Sequence, residues 1–285
     1  MDPHHVSHNT ATPPHAVARF EQWRYSVHEL RHPPSVVEGA ALSEDRDVRS
    51  KAAKYISNMG ISLRLPQLVI ATAQTFMHRF YMRQSSRRHK YHDVAAASIY
   101  LATKVEETGR RLKSVVQVAH QKAAKNDLLR LDEKSKDFQN WALTIVFYEE
   151  LLLQVLCWDL AVDFPYEKIL ILCKQIQAPQ ERKDAAWALA NDSYRTTICL
   201  QYSPRAVAVA CVIIGGKTMY GGGSIEDTKR TPDLEEAELN YLCATGGAEP
   251  AEVLDVCCAL AVLLHRDVYM RLGAAQSGMA AKPHG

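Results

Sequence analysis

The stretch Val94–Lys104 reads VAAASIYLATK, and a similar stretch, VAVACVIIGGK, returns in the second half of the chain at Val207–Lys217. The two segments align without a gap, apolar or small residues match throughout, and each ends in lysine. A helix that is apolar on every side belongs at the centre of a bundle, where small residues let neighbouring helices approach. The repeat therefore predicts two helical bundles, each built around its own central helix.

Apolar residues recur at three- and four-residue spacing along most of the chain, which predicts further helices. The predicted helices are Val48–Leu63, Leu65–Tyr81, Asp93–Glu107 with Asp93 as its cap, Leu112–Ala124, Phe138–Leu156, Pro165–Gln177, Arg182–Leu200, Pro204–Met219, Pro232–Cys243 and Pro250–Leu272. Prolines stand at the starts of predicted helices and never in their interiors, as helix geometry requires. No segment shows the period of two that is typical of a strand, so we expect an all-α fold.

The composition of the chain predicts its domain boundaries. Residues 1–19 are rich in His, Pro and Ala without apolar periodicity, and we expect a disordered tail there. Residues 20–160 and 161–272 should form the two helical domains, joined at Ala161–Pro165. Residues 273–285, which contain mostly small residues, should form a second, flexible tail.

Charge and cysteine content exclude several classes of protein. The chain has 285 residues with 34 Lys and Arg against 32 Asp and Glu, so its net charge is only +2 and we expect no strong DNA binding. Its seven cysteines form no CxxC pair, which indicates reduced thiols rather than a disulfide framework or a zinc site. No apolar run approaches the length of a membrane span, and the N-terminus lacks the apolar run of a signal peptide. We therefore expect no membrane association and no secretion.

Two motifs suggest an enzyme, and each has a simpler explanation. Gly215–Thr218 resembles the end of a phosphate-binding loop, but Cys211 stands where that motif needs glycine, and a helix precedes it instead of a strand. We interpret the glycines as a place of close helix packing or a helix end. His92–Asp93 resembles the metal pair of helical phosphohydrolases, but a loop histidine followed by a capping aspartate explains it better. We therefore expect no catalytic residue, metal or cofactor, with a phosphohydrolase as a rival hypothesis.

Two further features involve charged residues, namely a basic stretch and a pair of charges within apolar helices. Arg83–Lys90 is a basic stretch between two predicted helices, best explained as a solvated loop, with phosphate or RNA contact by Arg87, Arg88 and Lys90 as the sharper hypothesis. Lys104 and Glu149 each lie in a strongly apolar helix, where a charge is costly unless it is paired or hydrogen-bonded. An ion pair between two helices near the surface is the simplest prediction for them.

Several short stretches carry a recognisable pattern when they are taken together. They are Trp23–Tyr25, Met77–Met82, Leu101–Glu107, Arg111–Leu112, Val115–His120, Glu149–Trp158, Ala186–Trp187, Asn191–Ser193 and Thr196–Gln201. In this combination the chain resembles the cyclins, and within them the transcriptional group of cyclin T, cyclin K and the cyclin subunit of the fungal RNA polymerase II C-terminal-domain kinase. The resemblance covers residues 20–220 well and residues 221–272 only by helical pattern.

The resemblance implies an architecture and a function. The architecture is two tandem five-helix cyclin boxes with a short N-terminal helix at Trp23–Tyr25. The function is that of a regulatory subunit, itself no enzyme, which binds and activates a cyclin-dependent kinase in the nucleus. That kinase would phosphorylate the RNA polymerase II C-terminal domain and support transcription elongation. The resemblance to the fungal kinase complex also allows for a third subunit.

The resemblance also implies the residues that bind the kinase. Lys104 and Glu149 match the pair with which cyclins bond the kinase backbone around its αC helix, while Tyr100, Glu107 and Trp158 fall at positions that face the kinase. Holding the αC helix inward would favour the active kinase. The alternative left open is a transcription factor or scaffold with cyclin-like repeats, which binds DNA or polymerase without a kinase.

Overall fold

The computed structural model describes the backbone of residues 22–220 and 236–279, and the side chains of residues 22–216 and 239–264. Within these ranges the chain forms thirteen α-helices and no strand, which confirms the predicted all-α class. The helices are α1 (Val27–Arg31), α2 (Pro34–Val37), α3 (Leu42–Ser62), α4 (Gln67–Tyr81), α5 (Tyr91–Val105), α6 (Leu112–Ala123), α7 (Lys136–Val155), α8 (Tyr166–Gln175), α9 (Gln180–Ser193), α10 (Ile198–Gln201), α11 (Pro204–Tyr220), α12 (Glu236–Gly246) and α13 (Pro250–Met279). None of the described helices has the length and apolar character that crossing a bilayer would take.

Two clusters of buried apolar residues correspond to the two halves of the sequence repeat. In the first, α5 is surrounded by α3, α4, α6 and α7, and its residues 94–99 are all buried. In the second, α11 is surrounded by α8, α9, α12 and α13, and its residues 206–214 are all buried. Both repeated segments are thus the centres of their bundles, as predicted. The boundaries 20–160 and 161–272 stay predictions.

Close helix packing at Gly215 explains the phosphate-loop-like motif. A Cβ atom on Gly215 would lie 3.0 Å from the backbone nitrogen of Ala186 and 3.2 Å from the carbonyl oxygen of Arg182. Both atoms belong to the backbone of α9, which cannot move away without disturbing the second core. The glycine therefore lets α9 and α11 approach each other.

The substitution Gly215→Ala is expected to destabilise the protein by about 1–3 kcal/mol, because an added methyl group would force packed helices apart. Thermal unfolding followed by circular dichroism measures this loss. The control is Gly109→Ala, since a Cβ atom at Gly109 meets nothing within 4 Å. Equal melting temperatures for the two variants would contradict the packing explanation.

Several predicted helix boundaries differ from those in the structure. Helix α3 begins at Leu42 rather than Val48. Its first turn contains Glu44 and Asp45, which interrupt the apolar pattern but are favourable at a helix N-terminus. The N-cap of α5 is Lys90, and Asp93 lies in the first turn. Trp23–Tyr25 precede α1, which is capped by Ser26.

The chain ends were also predicted from the sequence. Helix α13 continues to Met279, into the range 273–285 that the composition marked as a flexible tail. The predicted tail at residues 1–19, the helix start at Pro232 and residues 280–285 lie outside the described residues.

A short N-terminal segment joins the two bundles. We call Gln22–Tyr25 the strap. The Trp23 indole donates a hydrogen bond of 2.9 Å to the Asp159 carboxylate, and its ring lies 4.8 Å from the Arg79 guanidinium and 4.9 Å from that of Arg83. The backbone nitrogen of Tyr25 donates to the carbonyl oxygen of Leu200 at 2.9 Å. The strap therefore packs on the first bundle and bonds the second.

Helix α4 carries a second link between the bundles. The His78 side chain is fully buried, and its Nε2 donates to the carbonyl oxygen of Tyr194 at 2.9 Å. Burial, with a smaller contribution from the nearby Arg49 charge, lowers the pKa of His78 to about 3, so the ring is neutral at physiological pH. The neighbouring Arg79 donates to the carbonyl oxygens of Asp159 and Ala161 in the connection between the bundles.

Candidate functional site

The predicted ion pair between Lys104 and Glu149 is present. Lys104 lies in the last turn of α5, Glu149 lies in α7, and the Lys104 Nζ is 2.6 Å from the Glu149 Oε1. The Glu149 side chain is only 11% exposed, whereas that of Lys104 is 49% exposed. A carboxylate beside a core needs a partner, and the lysine supplies it while keeping half of its own surface in solvent.

Tyr100 fixes the position of the lysine. It lies one turn before Lys104 on α5, and the lysine Nζ is 4.1 Å from the centroid of its ring. A cation over an aromatic face is attracted by the ring quadrupole, in addition to the attraction of the carboxylate. The structure therefore brings Tyr100, Lys104 and Glu149 together in one arrangement.

Glu107 is held in an unusual backbone conformation directly after α5. Its amide donates to the carbonyl oxygen of Lys104 at 3.2 Å, and the amide of Thr108 donates to that of Thr103 at 2.9 Å. These two bonds form a Schellman motif, whose left-handed position is usually taken by glycine. Here Glu107 occupies it with a φ of 51°. The motif places an exposed carboxylate three residues from Lys104.

Trp158 follows the end of α7 in a second Schellman motif. Its amide donates to the carbonyl oxygen of Leu153 at 3.0 Å, and the amide of Cys157 donates to that of Gln154 at 3.0 Å. Cys157 and Trp158 both have positive φ values, of 52° and 58°. The Trp158 side chain is 70% exposed, so it is a large apolar group presented to solvent by a fixed turn.

An exposed apolar face on α7 was missed by the sequence analysis. Leu143, Val146 and Phe147 are all exposed although they lie on a helix whose opposite side enters the first core. Their spacing of three and four residues puts them on one side of the helix. Val146 stands one turn before Glu149. The middle of α7 holds more apolar residues than one buried face needs, and a helical wheel of this segment could have found the surplus.

The basic loop is partly occupied by contacts within the protein. Arg87 Nη1 donates to the carbonyl oxygen of Glu38 at 2.6 Å, and Arg88 Nη2 lies 2.7 Å from the Glu38 carboxylate. Lys90 is exposed and precedes the first turn of α5. Two of the three predicted phosphate-contacting residues thus already have an acidic or carbonyl partner.

The pair His92–Asp93 does not resemble a metal site in its surroundings. The His92 ring packs against Tyr55 and Tyr91, with centroids 4.9 and 3.9 Å away. Burial, together with the Lys90 charge, lowers the pKa of His92, and burial raises that of Asp93. Among the residues that the structure describes, no group of three or more His, Cys, Asp or Glu could hold a metal ion. The rival phosphohydrolase hypothesis has no support in this geometry.

Comparison with protein families identifies the first bundle. Residues 23–161 match the family model described as the cyclin N-terminal domain. This part of the chain belongs to the cyclin family. The match contains Tyr100, Lys104, Glu107, Glu149 and Trp158, the residues that the resemblance had singled out.

Curated relatives of the chain carry cyclin names. Cyclin pch1 of Schizosaccharomyces pombe is 40% identical over 190 residues, which cover 66% of this chain and 56% of pch1. Human cyclin-T1 is 31% identical over 198 residues, or 69% of this chain and 27% of cyclin-T1. The chain therefore spans little more than half the length of one relative and about a quarter of the other.

A solved structure shares the fold of the cyclin. A chain of the yeast RNA Pol II CTD kinase CTDK-1 complex superposes with a TM-score of 0.60 at 14% identity. The superposition covers 78% of this chain and 71% of that chain. Since it extends well beyond residues 23–161, the second bundle also takes part in the common fold.

Proposed function

We propose that this cyclin is the regulatory subunit of a kinase complex, which binds and activates a cyclin-dependent kinase that phosphorylates the RNA polymerase II C-terminal domain. The observation that carries the proposal is the half-exposed Lys104, paired with the nearly buried Glu149 inside a cyclin domain. The resemblance to the transcriptional cyclins, together with the fold shared with a chain of the yeast RNA Pol II CTD kinase complex, supports a role in transcription elongation and hence in the nucleus. The phosphoryl transfer takes place on the partner, and this chain contributes no catalytic group.

In the proposed mechanism, the charge of Lys104 orients the kinase, and the apolar surface beside it provides affinity. Lys104 has three ammonium protons, of which one is directed at Glu149, so others are available to a backbone carbonyl of the kinase. Val146 and Phe147 offer apolar surface on the neighbouring helix. A kinase whose αC helix packs on this surface only in its inward position is shifted toward the active state by the binding energy.

A native pulldown from nuclear extract, followed by a kinase assay, tests the proposal. We expect a cyclin-dependent kinase to co-purify in near-equal amount, with or without a third subunit. The recovered kinase should phosphorylate a heptad-repeat peptide at least about a hundredfold faster with this chain than without it, in line with a shift from a minor to a major active population. Recovery of polymerase or promoter factors without a kinase, or tight, salt-resistant binding to duplex DNA, would support the scaffold alternative instead.

Trp158 is proposed to be an anchor of the same interface. The substitution Trp158→Ala should weaken binding of the recovered kinase by about tenfold or more, as buried interface tryptophans do. Its effect on the free energy of unfolding should stay within about 0.5 kcal/mol, because the side chain is exposed in the free protein. Calorimetry and urea unfolding measure the two quantities.

The control for Trp158→Ala is Leu128→Ala, which removes an even more exposed apolar side chain from the loop between α6 and α7. It should leave kinase affinity unchanged. If the two variants bind the kinase equally well, Trp158 is not an anchor.

Contact of the basic loop with phosphate or RNA stays a prediction. Replacing Arg87, Arg88 and Lys90 by serine should lower activity of the complex on a long polymerase tail several-fold, yet spare activity on a short peptide. The same variant loses the ion pair from the largely exposed Arg88 to the Glu38 carboxylate and the bond from Arg87 to the Glu38 carbonyl oxygen, and surface contacts of this kind contribute little to stability. Equal losses on the long and the short substrate would remove the hypothesis.

A further inference from the structure

Two consecutive glutamates follow α5, and their surroundings differ. Glu106 is the C-cap of the helix, and its Oε1 accepts a hydrogen bond of 2.7 Å from the Thr72 hydroxyl of α4. Glu107 is exposed in the left-handed position. We propose that Thr72 is a positioning residue for the partner-binding surface, which acts through Glu106 to fix the turn that carries Lys104 and Glu107. This inference rests on the proposed function for its consequence in binding.

The bond from Thr72 is well placed to hold the turn. The Thr72 side chain is fully buried, so its hydroxyl has no competing water. A hydroxyl that donates to a carboxylate makes a stronger bond than one between neutral groups. Because Glu106 is the first residue beyond α5, this bond ties the end of that helix to the body of α4.

The turn needs such support from outside. A non-glycine residue at a φ of 51° is disfavoured, and the Schellman motif at Glu107 has no glycine to relieve it. Arg110 supports the far side of the turn, where its Nη1 donates to the carbonyl oxygen of Thr108 at 2.5 Å and its Nε to that of Leu63 at 3.3 Å. Thr72 and Arg110 therefore hold the turn from two sides.

A fixed turn matters because a flexible one would have to be ordered on binding, at a cost in conformational entropy. Lys104 contributes its carbonyl oxygen to the Schellman motif through the bond from the Glu107 amide. If the turn frayed, the last turn of α5 would lose this bond, and both Lys104 and Glu107 would have to be ordered by the kinase. Preorganisation removes that entropy cost from the association.

The chain provides a matched control on the same helix. Thr75 is also buried, but its hydroxyl donates to the carbonyl oxygen of Ala71 within α4. The substitutions Thr72→Val and Thr75→Val each remove one buried hydroxyl at nearly constant volume. They differ in that only Thr72 bonds the turn after α5.

Hydrogen exchange tests the structural part without any kinase. The amides of Glu107 and Thr108 should be protected in the wild type and in Thr75→Val, and should exchange at least about tenfold faster in Thr72→Val, since opening of the turn becomes easier when an external bond is lost. Thr72→Ser, which keeps the hydroxyl, should restore protection. Unchanged exchange in Thr72→Val would overturn the proposal, whatever the chain binds.

Affinity for the kinase recovered from nuclear extract tests the functional part. We expect about tenfold weaker binding for Thr72→Val, near wild-type binding for Thr72→Ser and for Thr75→Val, and a smaller effect of Glu107→Gln in the Thr72→Val background than in the wild type. Equal losses for Thr72→Val and Thr75→Val would show that a buried hydroxyl matters only for stability, and would overturn the proposal. If the wild-type chain binds no kinase, the proposed function fails, while the exchange experiment still decides the role of Thr72 in the turn.

Discussion

A chain that carries K104E and E149K together is expected to fold normally and to lose kinase binding. The two side chains keep opposite charges at the same positions, so the pair that now measures 2.6 Å can form again with its polarity reversed. A partner that offers a carbonyl oxygen to Lys104 would instead meet a carboxylate. Reversal at a charge-complementary contact costs several kcal/mol, so we expect a loss of at least about a hundredfold in affinity.

The single reversals should behave differently from the double one. K104E alone places two carboxylates beside each other, and E149K alone leaves a nearly buried lysine next to a second lysine. Each should lower stability by about 2–4 kcal/mol, and the double variant should recover most of that loss. Thermal unfolding of all three variants measures this pattern.

The control for this double charge reversal is the variant that combines K113E with E133K. This pair is also an ion pair, 3.3 Å long, but both side chains are more than half exposed and neither is assigned to the kinase-binding surface. Its reversal should change neither stability nor kinase capture. Capture of the kinase at wild-type level by the double variant at Lys104 and Glu149 would refute the proposed interface.

The substitution Arg49→Ala is expected to have the largest effect on stability, a loss of about 3–5 kcal/mol. Arg49 and Asp45 are 3% and 2% exposed, and the Arg49 Nε lies 2.7 Å from the Asp45 carboxylate. The same guanidinium donates to the carbonyl oxygens of His78 and Tyr81 at the end of α4. Removing it leaves a buried carboxylate and two helix-terminal carbonyls without their donor.

Among the residues that the structure describes, two hydroxyl groups still donate to the buried carboxylate in this variant. Ser35 and Ser86 donate to Asp45 at 2.5 and 3.2 Å, from α2 and from the basic loop. We expect the melting temperature to fall by about 10 °C for a chain of this size. The matched control is Arg46→Ala, which removes an exposed arginine from the same helix and should cost less than about 0.5 kcal/mol. Similar melting temperatures for the two variants would contradict the role given to Arg49.

The sequence predicted those parts of the fold that depend on apolar periodicity. The two central helices were predicted because their residues are apolar on every side, and close packing at Gly215 was one of two interpretations that the sequence left open. The start of α3 was predicted too late, because the missed turns before Val48 are mostly polar, although Asp45 among them is buried. Asp45 pairs with Arg49 at a spacing of four residues, which is compatible with burial, but periodicity alone reads such polar residues as exposed.

The candidate site was predicted only where single residues stand out. Lys104 and Glu149 interrupt apolar helices, so their pairing could be foreseen. Phe147 and its neighbours are apolar residues in an apolar helix, and only the structure distinguishes their exposed side from the buried one. The bond between Thr72 and Glu106 joins two helices whose relative placement no local pattern encodes.

The strap has a consequence for the synthesis of the chain. Trp23 belongs to the core of the first bundle, yet the strap is also bound to Leu200 and, through Arg24, to Glu252 at 3.4 Å. These contacts join residues that leave the ribosome far apart in time, on the order of ten seconds or more at usual rates of elongation. The first bundle is therefore expected to fold around its central helix during translation, while the strap reaches its full set of contacts only after the second bundle has been made as far as Glu252.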